Sequence, residues 1–164
     1  MDDEVDRLVE GWRRALPGVD VSPLEVPSRV ARLARHLERQ RSTVFARHHL
    51  ETWSFDVLSA LRRSDNRDGL SPGQLLAQTL VTSGTMTNRL DHLEERGLVR
   101  RTPDPVDGRS LRIRLTAAGQ RRVDGALRDL VGIEDGLLGN LDPGRRATLA
   151  ELLKTLLTPF EPPL

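Results

Sequence analysis

The chain has no cysteine among its 164 residues, which excludes a disulfide framework, a thiol switch and a thiolate metal site. Aromatic residues make up only 3%, and tyrosine is absent. No apolar run approaches a membrane span, and the first ten residues, with five acids and one Arg, are unlike a signal peptide. A cytoplasmic location without membrane contact is expected. Lysine is nearly missing: of the 25 basic residues all but Lys154 are Arg, which reads as genomic composition bias. There is no Gly-rich phosphate loop, no G-x-S-x-G and no H-E-x-x-H. An enzyme is therefore not expected, nor is a cofactor. His36, His48, His49 and His92 do not form a metal site, since adjacent His48 and His49 would point about 100° apart on a helix. There is no internal repeat and no low-complexity segment, and the length suits one domain or one intertwined protomer.

What is present centres on Leu70–Leu115. Ser71 can cap a helix whose first residue is Pro72, where no backbone N–H is needed. That helix carries Leu75, Leu76 and Leu80. Val81–Gly84 breaks the pattern, and Thr82 or Ser83 can cap a second helix running to about Arg96. Met86, Leu90 and Leu93 give it an apolar face, and Gly97 is its stop signal. Leu98-Val99 opens a strand, Leu111–Leu115 alternates as a second, and Pro103–Gly108 turns between them. Helix, turn, helix and hairpin make a winged helix-turn-helix, and the fold class is mainly α. Ser83, Thr85, Thr87 and Asn88 are small polar groups at the start of the second helix, with Arg89 behind them. Such side chains contact phosphates and base edges. The net charge of +1 does not announce nucleic acid, but from Arg96 to Arg114 there are six Arg against two Asp. A basic wing supplies phosphate contacts and can place an Arg in a narrow minor groove. The competing reading is a solvated Arg-rich hairpin on some other protein.

Helices flank this stretch. Asp2–Leu16 places Val5, Leu8, Val9, Trp12 and Leu16 on one face, with acids in its first turn. Pro23 and Pro27 mark a linker, and a long helix is expected from about Ser28 to His48. Its face runs Val30, Leu33, Ala34, Leu37, Gln40, Arg41, Val44 and Phe45. Glu51–Arg63 follows, with Trp53, Val57, Leu58 and Leu61 on the buried side, then a polar loop, Ser64–Gly69. After the hairpin come helices Thr116–Leu138 and one opened by Asp142-Pro143 and ended by Pro159. These terminal helices are too short to bury their Leu residues alone, so a second copy of the chain is expected. Residues 1–48 and 116–164 then form a helical dimerisation region and 50–115 a DNA-binding lobe. Two-fold symmetry would set two recognition helices about one DNA turn apart, on a pseudo-palindromic operator.

Leu93–Leu115 and the Thr116–Gly119 that follows resemble the MarR family of bacterial transcription regulators. The matching positions are Leu93, Gly97-Leu98-Val99 and Arg101, then Asp104-Pro105, Asp107 and Arg109 in the wing, then Leu115-Thr116 and Gly119. The resemblance implies a homodimer on a double-stranded DNA operator, with Arg109 at the wing tip braced by Asp107. Asp56 lies in an apolar run, and a carboxylate near a core face needs a partner; Arg89 and Arg101 are candidates. A structural salt bridge is the plain reading. The resemblance adds another. One group of the family senses urate or related small anions, and a near relative tri-carboxylates such as trans-aconitate and citrate. That group carries a Trp on an extra N-terminal helix, an Asp before the winged domain, an Arg on the recognition helix and an Arg at the wing base. Trp12, Asp56, Arg89 and Arg101 match these by element. The implied function is a repressor released by a small anionic metabolite. The alternatives are a winged-helix DNA-binding protein without a ligand switch, and an enzyme or protein-interaction module on the same scaffold.

Overall fold

The computed structural model describes residues 2–64, 68–79, 82–108 and 110–161. The order is α1 (Glu4–Ala15), α2 (Glu25–Arg47), α3 (Thr52–Arg63), α4 (Pro72–Thr79), α5 (Ser83–Glu95), β1 (Val99–Pro103), β2 (Leu111–Leu115), α6 (Ala117–Leu137) and α7 (Pro143–Leu157). Short 3-10 turns occupy Ser22–Leu24 and Thr158–Phe160. The fold is mainly helical, with a winged helix-turn-helix at its centre. Leu80, Val81 and residues 65–67 of the polar loop lie outside the described residues.

Side-chain caps start the helices where the sequence signals them. Asp3, Thr82, Thr116 and Asp142 each accept a backbone N–H of their own first turn. One boundary differs from expectation: α2 begins at Glu25, not near Ser28. Pro27 sits inside its first turn, where the missing N–H would have had no intrahelical acceptor.

β1 and β2 pair antiparallel, with Val99 opposite Leu115 and Pro103 opposite Leu111. Leu70 adds an isolated β-bridge that the alternation did not signal: it exchanges hydrogen bonds of 3.1 and 2.8 Å with Ile113. Gly69, at φ +84°, makes this approach possible, because a Cβ there would stand 2.1 Å from the Ile113 carbonyl oxygen.

One core joins the lobe to the end of α2 and the start of α6. Val44, Phe45, Val57, Leu58, Leu75, Met86, Leu90, Leu93, Leu98, Ile113, Val123 and Ala126 are all buried in it. Phe45 and Phe55 stack with centroids 4.0 Å apart. The rest of the helical region is different. Along α2 only Val44 and Phe45 are buried, while Val30 and Leu33 stay exposed. On α7 no residue is buried, and Leu149, Leu152, Leu156 and Leu157 face outward. α1 lies antiparallel along the start of α2. A small cluster of Val5, Val9 and Val21 seats it, and ion pairs Arg29–Asp3 (2.8 Å), Arg29–Asp6 (2.5 Å) and Arg32–Glu4 (2.5 Å) latch it. The hydrogen bond from Arg29 holds the Asp3 carboxyl down to about 2.

Candidate nucleic-acid interface and switch residues

The recognition surface is the N-terminal half of α5. Met86 and Leu90 anchor that helix in the core, which turns Ser83, Thr85, Thr87 and Asn88 outward and leaves Arg89 at the margin. Some hydroxyls are already engaged locally. Thr85 Oγ1 lies 2.9 Å from Thr82 Oγ1, and Thr87 Oγ1 donates to the Ser83 carbonyl at 3.2 Å. These bonds hold the hydroxyls in place without removing them from the surface.

The wing is pinned by a residue that the sequence placed only within a motif. Asp104 is buried at 8% exposure. Its carboxylate accepts from the Val106 N–H (2.8 Å), the Asp107 N–H (3.3 Å) and Arg112 Nε (2.5 Å). The Val106 N–H contributes most to lowering its pKa, and Arg112 adds to it. Asp107 accepts from Ser110 Oγ at 2.7 Å, which tightens the same turn. Arg109 lies outside the described residues.

The four residues expected to share an anion site do not all meet within one protomer. Asp56 and Arg89 do approach, on facing turns of α3 and α5, and Arg89 helps to hold the Asp56 carboxyl ionised. The ion partner of Asp56, however, is Arg41 of α2 at 3.9 Å, not Arg89 or Arg101 of the lobe. Asp56 is also half-exposed, with 48% of its side chain accessible, so it sits at the edge of the core rather than in it. Partial burial still raises its pKa, against the attraction of Arg41 and Arg89 and with help from Glu38. Arg101 is held elsewhere, by Glu94 and Asp91 of α5, each at 2.5 Å. At 100° per residue those two acids lie roughly 140–200° around α5 from Arg89.

Trp12 is also remote from the other three. α1 runs back toward the start of α2, where Arg13 meets Glu25 at 3.2 Å. From Glu25 to Arg41 the helix rises roughly 24 Å. The aromatic ring beside Arg89 is instead Trp53, which the periodicity assigned to the core. The Arg89 guanidinium lies 5.3 Å from its centroid and the His92 ring 5.8 Å. Trp53 and Asp56 are three residues apart on α3, as are Arg89 and His92 on α5, so each pair shares a helix face. The spacing to Asp56 was the available signal for Trp53.

A model of the MarR family matches residues 50–110, which covers the lobe described above. Over 150 residues the chain is 32% identical to the HTH-type transcriptional regulator PecS of Dickeya dadantii, spanning 92% of this chain and 90% of that one. Among solved structures it is similar to a mutant of MarR from E. coli, with a TM-score of 0.66 and 27% identity over 80% of this chain and 96% of that one. It also shares its fold with Bordetella bronchiseptica BpsR, whose DNA binding is regulated by 6-hydroxynicotinic acid, at a TM-score of 0.59 and 24% identity over 77% and 91% of the two chains. With the wing, recognition helix and flanking helices in place, the chain belongs to the MarR family and is a DNA-binding transcription regulator, not an enzyme.

Proposed function

We propose that the protein is a cytoplasmic homodimeric repressor, released from a pseudo-palindromic operator by a small anionic metabolite, a urate-like purine or a tri-carboxylate. The single observation that carries the switch is the position of Arg89. It stands on the recognition helix, yet its guanidinium rests over Trp53 and is attracted by Asp56. An anion entering between α3 and α5 would take the guanidinium in charge-assisted hydrogen bonds and repel Asp56. Trp53 would then give a planar ligand a stacking face. Any movement of Arg89 is movement at the DNA surface. Induction follows if the ligand binds the DNA-incompetent state better. BpsR, which shares this fold, is a regulator whose DNA binding responds to a small anion, 6-hydroxynicotinic acid.

The exposed apolar side chains of α2, α6 and α7 support a dimer. Residues 1–48 and 116–164 would form the dimerisation region, with the uncovered faces of α2, α6 and α7 closing on a second copy, and 50–115 the DNA-binding lobe. Trp12 would then reach an anion site only from that second copy, and Arg101 would contribute after leaving Asp91 and Glu94. Ser83, Thr85, Thr87, Asn88 and Arg89 would read the major groove, and Arg109 braced by Asp107 the minor groove. Arg109→Ala should weaken operator binding by on the order of 1–3 kcal/mol with the dimer intact.

The direct test is a gel-shift assay on DNA upstream of the gene, with urate, xanthine, citrate and trans-aconitate added in turn. Release by one of them, lost in Arg101→Ala, which leaves the groove-reading residues of α5 in place, and retained in Arg145→Ala, is the expected result. The Asp56–Arg41 ion pair favours a second reading, in which Asp56 braces α3 against α2 and no ligand acts. Operator binding indifferent to every anion would support it.

A further inference from the structure

The chain crosses between helical region and winged lobe twice, between α2 and α3 and between β2 and α6. The two crossings are tied together. Thr116 Oγ1 donates to the Gly97 carbonyl at 2.7 Å. Neighbouring Arg96 donates to the His49 carbonyl and, at 2.9 Å, to Glu51. Gly119 lies so near the Leu98 carbonyl that a Cβ would stand 2.0 Å from its oxygen. Beside them opens a cleft of about 310 Å³, lined by Arg47, His48, His49, Ala118, Arg121 and Arg122.

Its charge is one-sided. The nearest acids on α6 are engaged: Asp124 meets Arg62 at 2.8 Å and Asp129 meets His48 Nε2 at 2.8 Å. The His48 ring is seated on Gly125, whose Cβ, if present, would stand 3.1 Å from it. Among the described residues, Arg47, Arg121 and Arg122 enter no ion pair, whereas most arginines of the lobe do. Arg47 at the end of α2 and Arg121 and Arg122 at the start of α6 thus line one open, basic depression.

We propose that this cleft binds a compact multivalent phosphate, pyrophosphate or a phosphomonoester, which bridges the end of α2 to the start of α6. Guanidinium forks fit phosphate oxygens bidentately, and a single carboxylate would leave at least one of the three unanswered. The site does not depend on the Asp56–Arg89 reading and shares no residue with it. Duplex DNA does not suit it. α5 is roughly 18–20 Å long, and the cleft lies at its Arg96 end, away from Thr85 and Asn88. The wing tip likewise is at the far end of the hairpin from Val99 and Leu115. A phosphate here would join both chain crossings and so fix the angle of the lobe.

The test is isothermal titration of the full chain with pyrophosphate and with inorganic phosphate, at constant ionic strength. Saturable binding of pyrophosphate is expected, tighter than that of phosphate. Arg121→Gln with Arg122→Gln should weaken it by about tenfold or more. Arg47→Gln, on the opposite wall, should weaken it too, and Arg145→Gln on α7 should not. Far-UV circular dichroism checks that each variant folds. No saturable binding, undiminished binding in the arginine variants, or equal affinity for the two anions would overturn the bridging site. So would displacement of the bound pyrophosphate by random-sequence duplex DNA, which would give the cleft to DNA instead.

Discussion

The winged lobe and the helices outside it are built from the same Leu- and Arg-rich sequence, but only the lobe finishes its own packing. Leu58, Leu93, Leu98 and Ile113 are almost fully out of solvent, while Leu152, Leu156 and Leu157 are more than half exposed. α1 is a third case: ion pairs and three valines hold it to α2, while Leu8, Trp12 and Leu16 remain exposed. An apolar helix face left open to solvent marks an interaction surface. The lobe is therefore a closed packing unit, and the open faces of the outer helices are what the proposed dimer would cover. Each of the following tests strikes one side of that division.

The largest expected effect is on assembly. Leu152→Asp with Leu156→Asp should abolish the dimer in light scattering and with it tight operator binding, because each half-site alone binds weakly. The lobe should remain folded by circular dichroism. A dimer that survives both charges would move the interface off α7. In the closed core, where the lobe meets the end of α2, Phe45→Ala removes a ring and should cost about 3–5 kcal/mol of unfolding free energy in urea. A cost under ~1 kcal/mol would mean that the core collapses around the gap, contrary to the packing of Phe45 on Phe55.

The same division explains what could be read in the chain. Helix positions and the wing were legible because caps and stop signals are local: Thr82, Gly97, Thr116 and Asp142 each act within one turn. The bridge at Leu70 was not, since its pairing to Ile113 spans 43 residues (113 − 70) and shows no alternation. Pro27 misled because proline marks both linkers and first turns. Among the expected site residues, the outward placement of those on α5 was legible by spacing. The partners of Asp56 and Arg101 were not. Arg41 lies on α2, on what reads as an apolar face, and Asp91 and Glu94 lie around α5 from Arg89. No periodicity tells which of several arginines a half-exposed carboxylate will choose.

A smaller effect is expected at the wing. The Asp104 pKa is depressed below its ordinary 3.8. Its contribution is therefore present above that value and is lost as pH falls through the folded-state pKa. Asp104→Asn should flatten the acid limb of the urea midpoint between pH 5 and 2 and loosen the hairpin. It should leave light scattering unchanged, since the wing takes no part in the outer helices. An acid limb as steep as that of the wild type would show that other carboxylates, Asp3 among them, govern it.

The smallest effect is at the lobe's edge, where Asp56 faces α2. Its pKa is raised rather than lowered, chiefly by partial burial, so the sign is reversed. A group with a raised folded-state pKa adds stability below its unfolded value, and that stability is lost as pH rises through the folded-state value. At pH 7 the charged form is thus held slightly against its preference, with Arg41 at 3.9 Å only partly compensating. Asp56→Asn keeps the shape and removes the charge. It should therefore raise the unfolding free energy in urea at pH 7 by a small amount, on the order of a few tenths of a kcal/mol after solvent screening, and change nothing near pH 3. Loss of stability at pH 7 would show that the Arg41 pair outweighs the burial. Asp56 would then be a brace joining lobe to α2, and the boundary between the two regions would lie one helix further out.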